Sequence, residues 1–160
     1  MKGNAKLITA LNSLLADELT AINQYMVHAE MCENWGYGKL HNAIRSQAMD
    51  EMHHAEWLIE RIIFLDGAPT VSKLNSIKIG KTVPEIIDND SNDEINAVLA
   101  YNDAIKLARE VGDQVTSDLF SKILAMEEGH ADWGEMQQTQ IKQMGIENYL
   151  MNQTLSPKAD

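Results

Sequence analysis

The sequence predicts an all-α protein: four long amphipathic helices in a bundle, joined as two antiparallel pairs by one long crossover, with a short fifth helix after them. Three observations point there. Apolar residues recur every three or four positions over long stretches, as one face of a helix requires. Glycine and proline are sparse, 9 and 3 in 160 residues, and they fall mainly between those stretches. The segment 67–82, between the second and third stretches, is much longer than the other connections.

Each element has its own warrant. The first helix, expected over 4–35, carries Ile8, Leu11, Leu15, Ile22 and Tyr25 along one face and ends at the turn Asn34-Trp35-Gly36-Tyr37-Gly38. The second, over 39–66, is built on Ile44, Ala48, Ala55, Leu58, Ile62 and Leu65, with Gly67 and Pro69 supplying a stop. Thr82 caps the third, over 83–111; Pro84 is tolerated in its first turn, and Glu85 completes a Thr-x-x-Glu capping box. Gly112 marks a short turn into the fourth helix, over 113–144, which Gly145 ends. A short fifth helix over 147–154 precedes a frayed tail containing Pro157. The whole of 1–160 is expected to form a single domain.

The crossover decides the topology. About 16 extended residues span roughly 50 Å, and a third helix of about 28 residues is roughly 42 Å long. The 67–82 segment can therefore cross the bundle from end to end, whereas the other turns cannot.

Composition narrows the function. A net charge of −11 argues against nucleic acid as a partner and favours traffic in cations. Cys32 is alone, so no intrachain disulfide forms, and a reducing cytoplasm is the simplest compartment. Thr9, Asn12, Ser13 and Asp17 interrupt the apolar run near the start, so neither a signal peptide nor a membrane span is expected.

The chemistry sits in two Glu-x-x-His pairs, Glu51/His54 and Glu127/His130. Each follows a lone Glu by 33 residues, Glu18 in the first set and Glu94 in the second, and the sets are offset by 76. On a helix, residues three apart share a face, about 5–6 Å between Cβ atoms, so a Glu and a His there can hold one ion. With 13 Glu and 5 His, chance supplies a Glu-x-x-His roughly 0.4 times if positions are independent along a helical face. Two copies in matched register are therefore informative. Each of the four Glu also interrupts an apolar stripe, so four helices aim carboxylates at their own core. Unpartnered buried carboxylates are costly. Two divalent cations would neutralise the four, and mixed carboxylate and imidazole donors suit iron or manganese. One Glu from each of two helices with Glu-x-x-His from the other two is the pattern of carboxylate di-metal bundles.

The chain resembles the bacterioferritins, from Met1-Lys2-Gly3 to about Leu150. The resemblance is carried by Leu19-Thr20-Ala21-Ile22-Asn23-Gln24-Tyr25, Asp50-Glu51-Met52-His53-His54-Ala55, Ile59-Glu60-Arg61-Ile62 and Glu127-Glu128-Gly129-His130-Ala131-Asp132-Trp133. It implies a ferritin-like fold and a di-iron ferroxidase centre on Glu18, Glu51, His54, Glu94, Glu127 and His130. Glu51 and Glu127 would bridge the irons, with Glu18 and His54 completing one and Glu94 and His130 the other. It further implies haem b held between two subunits by Met52 from each, and a homo-oligomeric 24-subunit shell built from dimers. The implied partners are iron ions, O2 or H2O2, and a ferredoxin-type reductant for iron release. Tyr25 would donate an electron during oxidation, although core packing explains it equally well. Certain bacterioferritins carry a His four residues before Asp50 that helps hold iron on the inner shell surface; here that residue is Ser46. Trp133 is expected to pack, His53 to sit at a pocket edge or surface, and His28 and His41 to be structural or surface residues without identifiable partners.

Other functions share these residues. A rubrerythrin-like peroxidase or a manganese catalase would use the same ligands without storing anything, although the chain lacks rubredoxin-type Cys pairs. A haem-binding electron-transfer protein would keep the carboxylates as structure only. A miniferritin builds its site across subunits and needs no second intrachain Glu-x-x-His.

Overall fold

The computed structural model describes residues 1–154; the tail with Pro157 lies outside the described residues. The helices are α1 (Ala5–Asn34), α2 (Gly38–Phe64), α3 (Val83–Glu110), α4 (Gln114–Met144) and α5 (Ile146–Gln153). Their caps follow from local chemistry. Asn4 accepts hydrogen bonds from the backbone N–H groups of Lys6 and Leu7, and Asp113 accepts one from Thr116. Thr82 accepts from the Glu85 N–H (3.4 Å), but the Glu85 carboxylate accepts in return from the Lys81 N–H (2.7 Å) rather than from that of Thr82.

The end of α2 differs from expectation in one detail. The left-handed backbone turn falls on Asp66 (φ 58°), not on Gly67. Gly67 is needed for a different reason: a Cβ there would lie 2.8 Å from the Ile8 Cγ2 and 2.9 Å from the Ile62 Cγ2.

Helix α1 packs on α2 and on α3, α3 packs on α4, and α5 folds back against α4 and α2. Buried Tyr149 pins α5, donating to Gln137 Oε1 at 2.9 Å. The crossover is strapped along α1 by a ladder of polar side chains. Asn12 binds the backbone of Ala68 and Thr70; Thr20 accepts from the Asn75 N–H, Gln24 from the Lys78 N–H, and His28 Nε2 from the Gly80 N–H. These bonds satisfy backbone groups that a loop lying on a bundle would otherwise bury unpaired. His28 is thus a fully buried brace, with Nδ1 2.8 Å from Asp90 Oδ1 on α3. His41 also has a partner, the Ala29 carbonyl at 2.9 Å.

Two apolar clusters fill the interior. One gathers Leu7, Leu11, Leu15, Leu58, Ile62, Tyr101, Phe120 and Ile123; the other gathers Tyr25, Ala29, Leu40, Ile44, Val83, Ile86 and Tyr149. Glu18 falls between Leu15 and Tyr25 along α1, and Glu51 between Ala48 and Ala55 along α2. The charged residues therefore occupy the middle of the bundle, enclosed by hydrocarbon at both ends.

Candidate metal centre

All six residues of the two matched sets converge there. Glu18, Glu51, His54, Glu94, Glu127 and His130 are each at most 8% exposed, although they come from four different helices. One ligand atom each from Glu18, Glu51, His54 and Glu127 lies within 4.8 Å of the others, and the same holds for Glu51, Glu94, Glu127 and His130. Glu51 and Glu127 belong to both groups. Their positions between the imidazoles show in the distances: His54 Nδ1 lies 2.8 Å from Glu51 Oε2 and 2.9 Å from Glu127 Oε1, and His130 Nδ1 lies 3.0 Å from Glu51 Oε1 and 3.8 Å from Glu127 Oε2. Glu18 is 3.6 Å from His54 Nδ1, and Glu94 is 3.6 Å from His130 Nδ1.

The donor set fits a pair of cations. Glu51 Oε1, Glu127 Oε1 and His130 Nδ1 are buried without an aligned hydrogen-bond partner, although Glu51 Oε1 and His130 Nδ1 stand only 3.0 Å apart. Buried polar atoms without an aligned partner are costly, and a cation held among them would remove that cost.

Electrostatics carries the same message. Burial, reinforced by repulsion from Glu51 and Glu127, holds the Glu18 and Glu94 carboxyls well above the usual range, despite the opposing pull of His54 and His130. Burial alone would depress the His54 imidazole, but Glu127, Glu18 and Glu51 push it up to about 12; His130 is raised likewise by Glu127, Glu51 and Glu94. Burial would raise Glu127, yet its contacts with His130 and His54 hold it below the usual carboxylate range. Protons are thus drawn to the places where a cation would otherwise neutralise the cluster.

Both tyrosines beside the centre donate to its outer carboxylates. Tyr25 on α1 donates its O–H to Glu94 on α3, and Tyr101 on α3 donates to Glu18 on α1. Burial first, and then the adjacent carboxylates, raises both phenols well above their ordinary range. Of the two, only Tyr25 was expected near the centre from the sequence. The signal was available, because Tyr101 follows Tyr25 by the same 76 residues that separate the two ligand sets.

The other predicted residues lie farther out. Met52 is 49% exposed, on the outside of α2 beside buried Glu51. His53 is exposed and stacks on Trp57, and Trp133 packs partly buried against the second apolar cluster. Asp50 reaches the centre indirectly, with Oδ2 3.1 Å from His130 Nε2. A cavity of about 290 Å³ under the crossover connects Asp17, Asn75, Lys78 and Asp93 with the four carboxylates of the centre.

Comparison with known proteins agrees with this architecture. The family described as "Ferritin-like domain" matches residues 8–144. The chain is 39% identical over 149 residues to the bacterioferritin of Brucella melitensis, covering 93% of this chain and 92% of that protein. It is 40% identical over 154 residues to a bacterial ferritin of Synechocystis sp., covering 96% and 99%, and 40% identical over 149 residues to the bacterioferritin of Mycolicibacterium paratuberculosis, covering 93% and 94%. Sequence identity over nearly the full length of these relatives, together with the helical bundle and its buried carboxylate and imidazole cluster, places the chain in the bacterioferritin family.

Proposed function

We propose that this chain stores iron, taking up Fe²⁺ at the centre, oxidising it and keeping the ferric product inside an assembly of its own copies. The observation that carries this reading is the buried cluster of four carboxylates and two imidazoles, with three of its polar atoms lacking aligned partners. Glu18, Glu51 and His54 would hold one ion, Glu94, Glu127 and His130 the other, with Glu51 and Glu127 shared between them.

The protein's part is to bind, neutralise and return protons. Two Fe²⁺ bring +4 against four carboxylates, so the filled centre carries no net charge in a low-dielectric interior. Binding displaces the protons that the imidazoles hold so firmly, since a ligating His nitrogen must be free of its proton. The iron pair supplies two electrons, enough to reduce O2 to H2O2 or H2O2 to water. Tyr25 and Tyr101 fix the outer carboxylates through their O–H groups, and the cavity under the crossover gives cations a way in past Asp17 and Asp93.

A single bundle cannot enclose a mineral, so storage requires a shell. The resemblance to the bacterioferritins implies that this shell is a 24-subunit assembly built from dimers, with haem b between paired subunits. Exposed Met52 of each paired subunit would hold that haem through its thioether sulfur. No described helix is long and apolar enough to cross a membrane, and the proposed site of action is the cytoplasm, where a ferredoxin-type reductant would release the iron.

The test is aerobic Fe²⁺ addition to metal-free protein in steps up to hundreds of ions per assembly, followed by size-exclusion chromatography with iron detection. Iron that coelutes with soluble protein far beyond two ions per chain supports storage. Retention that stops at two identifies a non-storing di-metal oxidase on the same bundle.

A further inference from the structure

We infer that the two halves of the centre are unequal, and that a divalent cation binds first and more tightly in the half built on Glu94 and His130, because Asp50 backs His130 where Met126 backs His54. This rests on the di-metal reading proposed above and adds an order of filling to it.

The chain carries an internal offset of 76 residues. It relates Glu18 to Glu94, Tyr25 to Tyr101, Glu51 to Glu127 and His54 to His130. Through all of these pairs the halves are matched in residue type. Each outer carboxylate receives a tyrosine O–H, and each lies 3.6 Å from its own imidazole. The equivalence fails one step further out. Residues 50 and 126 are related by the same offset, yet one is Asp and the other Met.

Both imidazoles turn Nδ1 toward the carboxylates, so a cation ligated there leaves the ring proton on Nε2. For His130 that N–H meets Asp50 Oδ2 at 3.1 Å; for His54 it meets the Met126 thioether sulfur at 3.3 Å. A carboxylate behind a ligating His fixes the tautomer and ring orientation and raises the basicity of the ligating nitrogen. A thioether is a weak acceptor without charge and does little of either. Asp50 also adds a fifth negative charge on the His130 side. On the opposite side Lys122 lies 3.4 Å from the centroid of Trp57, whose ring stands 5.7 Å from that of His54. Its counterpart by the offset is Ser46, so this cation is not repeated behind His130. All three differences act in one direction. Loss of a partner behind a metal-ligating His typically weakens binding about 10–100-fold, which sets the expected scale.

The test uses Co²⁺ as the probe on metal-free, assembled, full-length protein. At one Co²⁺ per subunit, anomalous diffraction reads the occupancy of each half, and a solution titration of the visible Co²⁺ absorption reads the two affinities. The expected result is occupancy concentrated beside His130 and two binding steps separated about tenfold or more. Met126→Asp should tighten the weaker step and even out the occupancies. Asp50→Asn, which keeps an acceptor oxygen and the side chain's shape, should narrow the gap from the other side. The Asp50→Met/Met126→Asp double variant should reverse the order, an outcome that a purely structural role for Asp50 does not produce. Equal occupancy in the unaltered protein, or a ratio that none of these substitutions moves, would overturn the inference. Failure to bind two Co²⁺ per subunit at these ligands would overturn the di-metal reading itself.

Discussion

Replacing Tyr101 by Phe isolates a single hydroxyl at the centre. The ring is 1% exposed and meets Phe120 edge-on at 6.0 Å between centroids, so phenylalanine keeps that packing and leaves no sizeable cavity. What disappears is the O–H donor to Glu18 Oε1, in a place where Glu18 is 4% exposed and water cannot substitute freely. With a cation bound and Glu18 ionised, a buried hydrogen bond to that carboxylate contributes about 1.5–3 kcal/mol. For a chain of this size each kcal/mol shifts the melting temperature by about 2–4 °C, so the expected loss is roughly 3–12 °C by scanning calorimetry. The donor also favours the ionised form of Glu18, the form that binds a cation, so Co²⁺ affinity at the Glu18 and His54 half should fall by about tenfold, or about 1.4 kcal/mol. Tyr25→Phe should produce the same changes at the Glu94 half. Unchanged melting and unchanged Co²⁺ affinities in Tyr101→Phe would refute the reasoning that these phenols position the outer carboxylates.

Three further outcomes follow from the geometry. Asp113 caps α4 and takes a 2.7 Å ion pair from Arg61. Burial would raise its carboxyl, but the Thr116 N–H and hydroxyl and Arg61 outweigh that and hold it below its ordinary value of 3.8. Its folded value is the lower one, so its stabilisation is fully present above pH 3.8 and is lost as pH falls through the depressed value. Asp113→Ala should therefore cost about 1–2 kcal/mol at pH 7, with a gap that closes in acid denaturation series below that point. Gly134→Ala places a Cβ 2.2 Å from Ser91 Oγ and 3.0 Å from Ser91 Cβ, forcing α3 and α4 apart at a cost of about 1–3 kcal/mol, readable by chemical denaturation. If Met52 holds haem as proposed, Met52→Leu should remove the Soret absorbance that coelutes with the protein after haem addition and desalting, and leave rapid Fe²⁺ oxidation intact, since Met52 is 49% exposed on the outside of α2.

The parts legible in the sequence are those written in local spacing. Helical periodicity placed each helix end within one or two residues, and the repeated Glu-x-x-His with its upstream Glu marked six side chains that the fold gathers from four helices. Interactions whose partner lies elsewhere in the chain were less visible. The polar ladder of Asn12, Thr20, Gln24 and His28 binds mostly loop backbone, which has no residue signature, so His28 looked partnerless. Asp50 could not be assigned because its bond to His130 depends on which way an imidazole on another helix turns. Gly67 marked the end of α2 correctly but for the wrong reason, since close approach of Ile8 and Ile62 can be read only after folding. Tyr101 is different: its 76-residue offset from Tyr25 already marks it in the sequence.

The most direct test of the central claim is stopped-flow Fe²⁺ oxidation by O2 in metal-free protein, at increasing iron per chain, beside Glu127→Ala. The expected result is a fast phase that saturates at two Fe²⁺ per subunit and vanishes when the shared carboxylate is removed. A fast phase that saturates at another stoichiometry, or survives in Glu127→Ala, would contradict it.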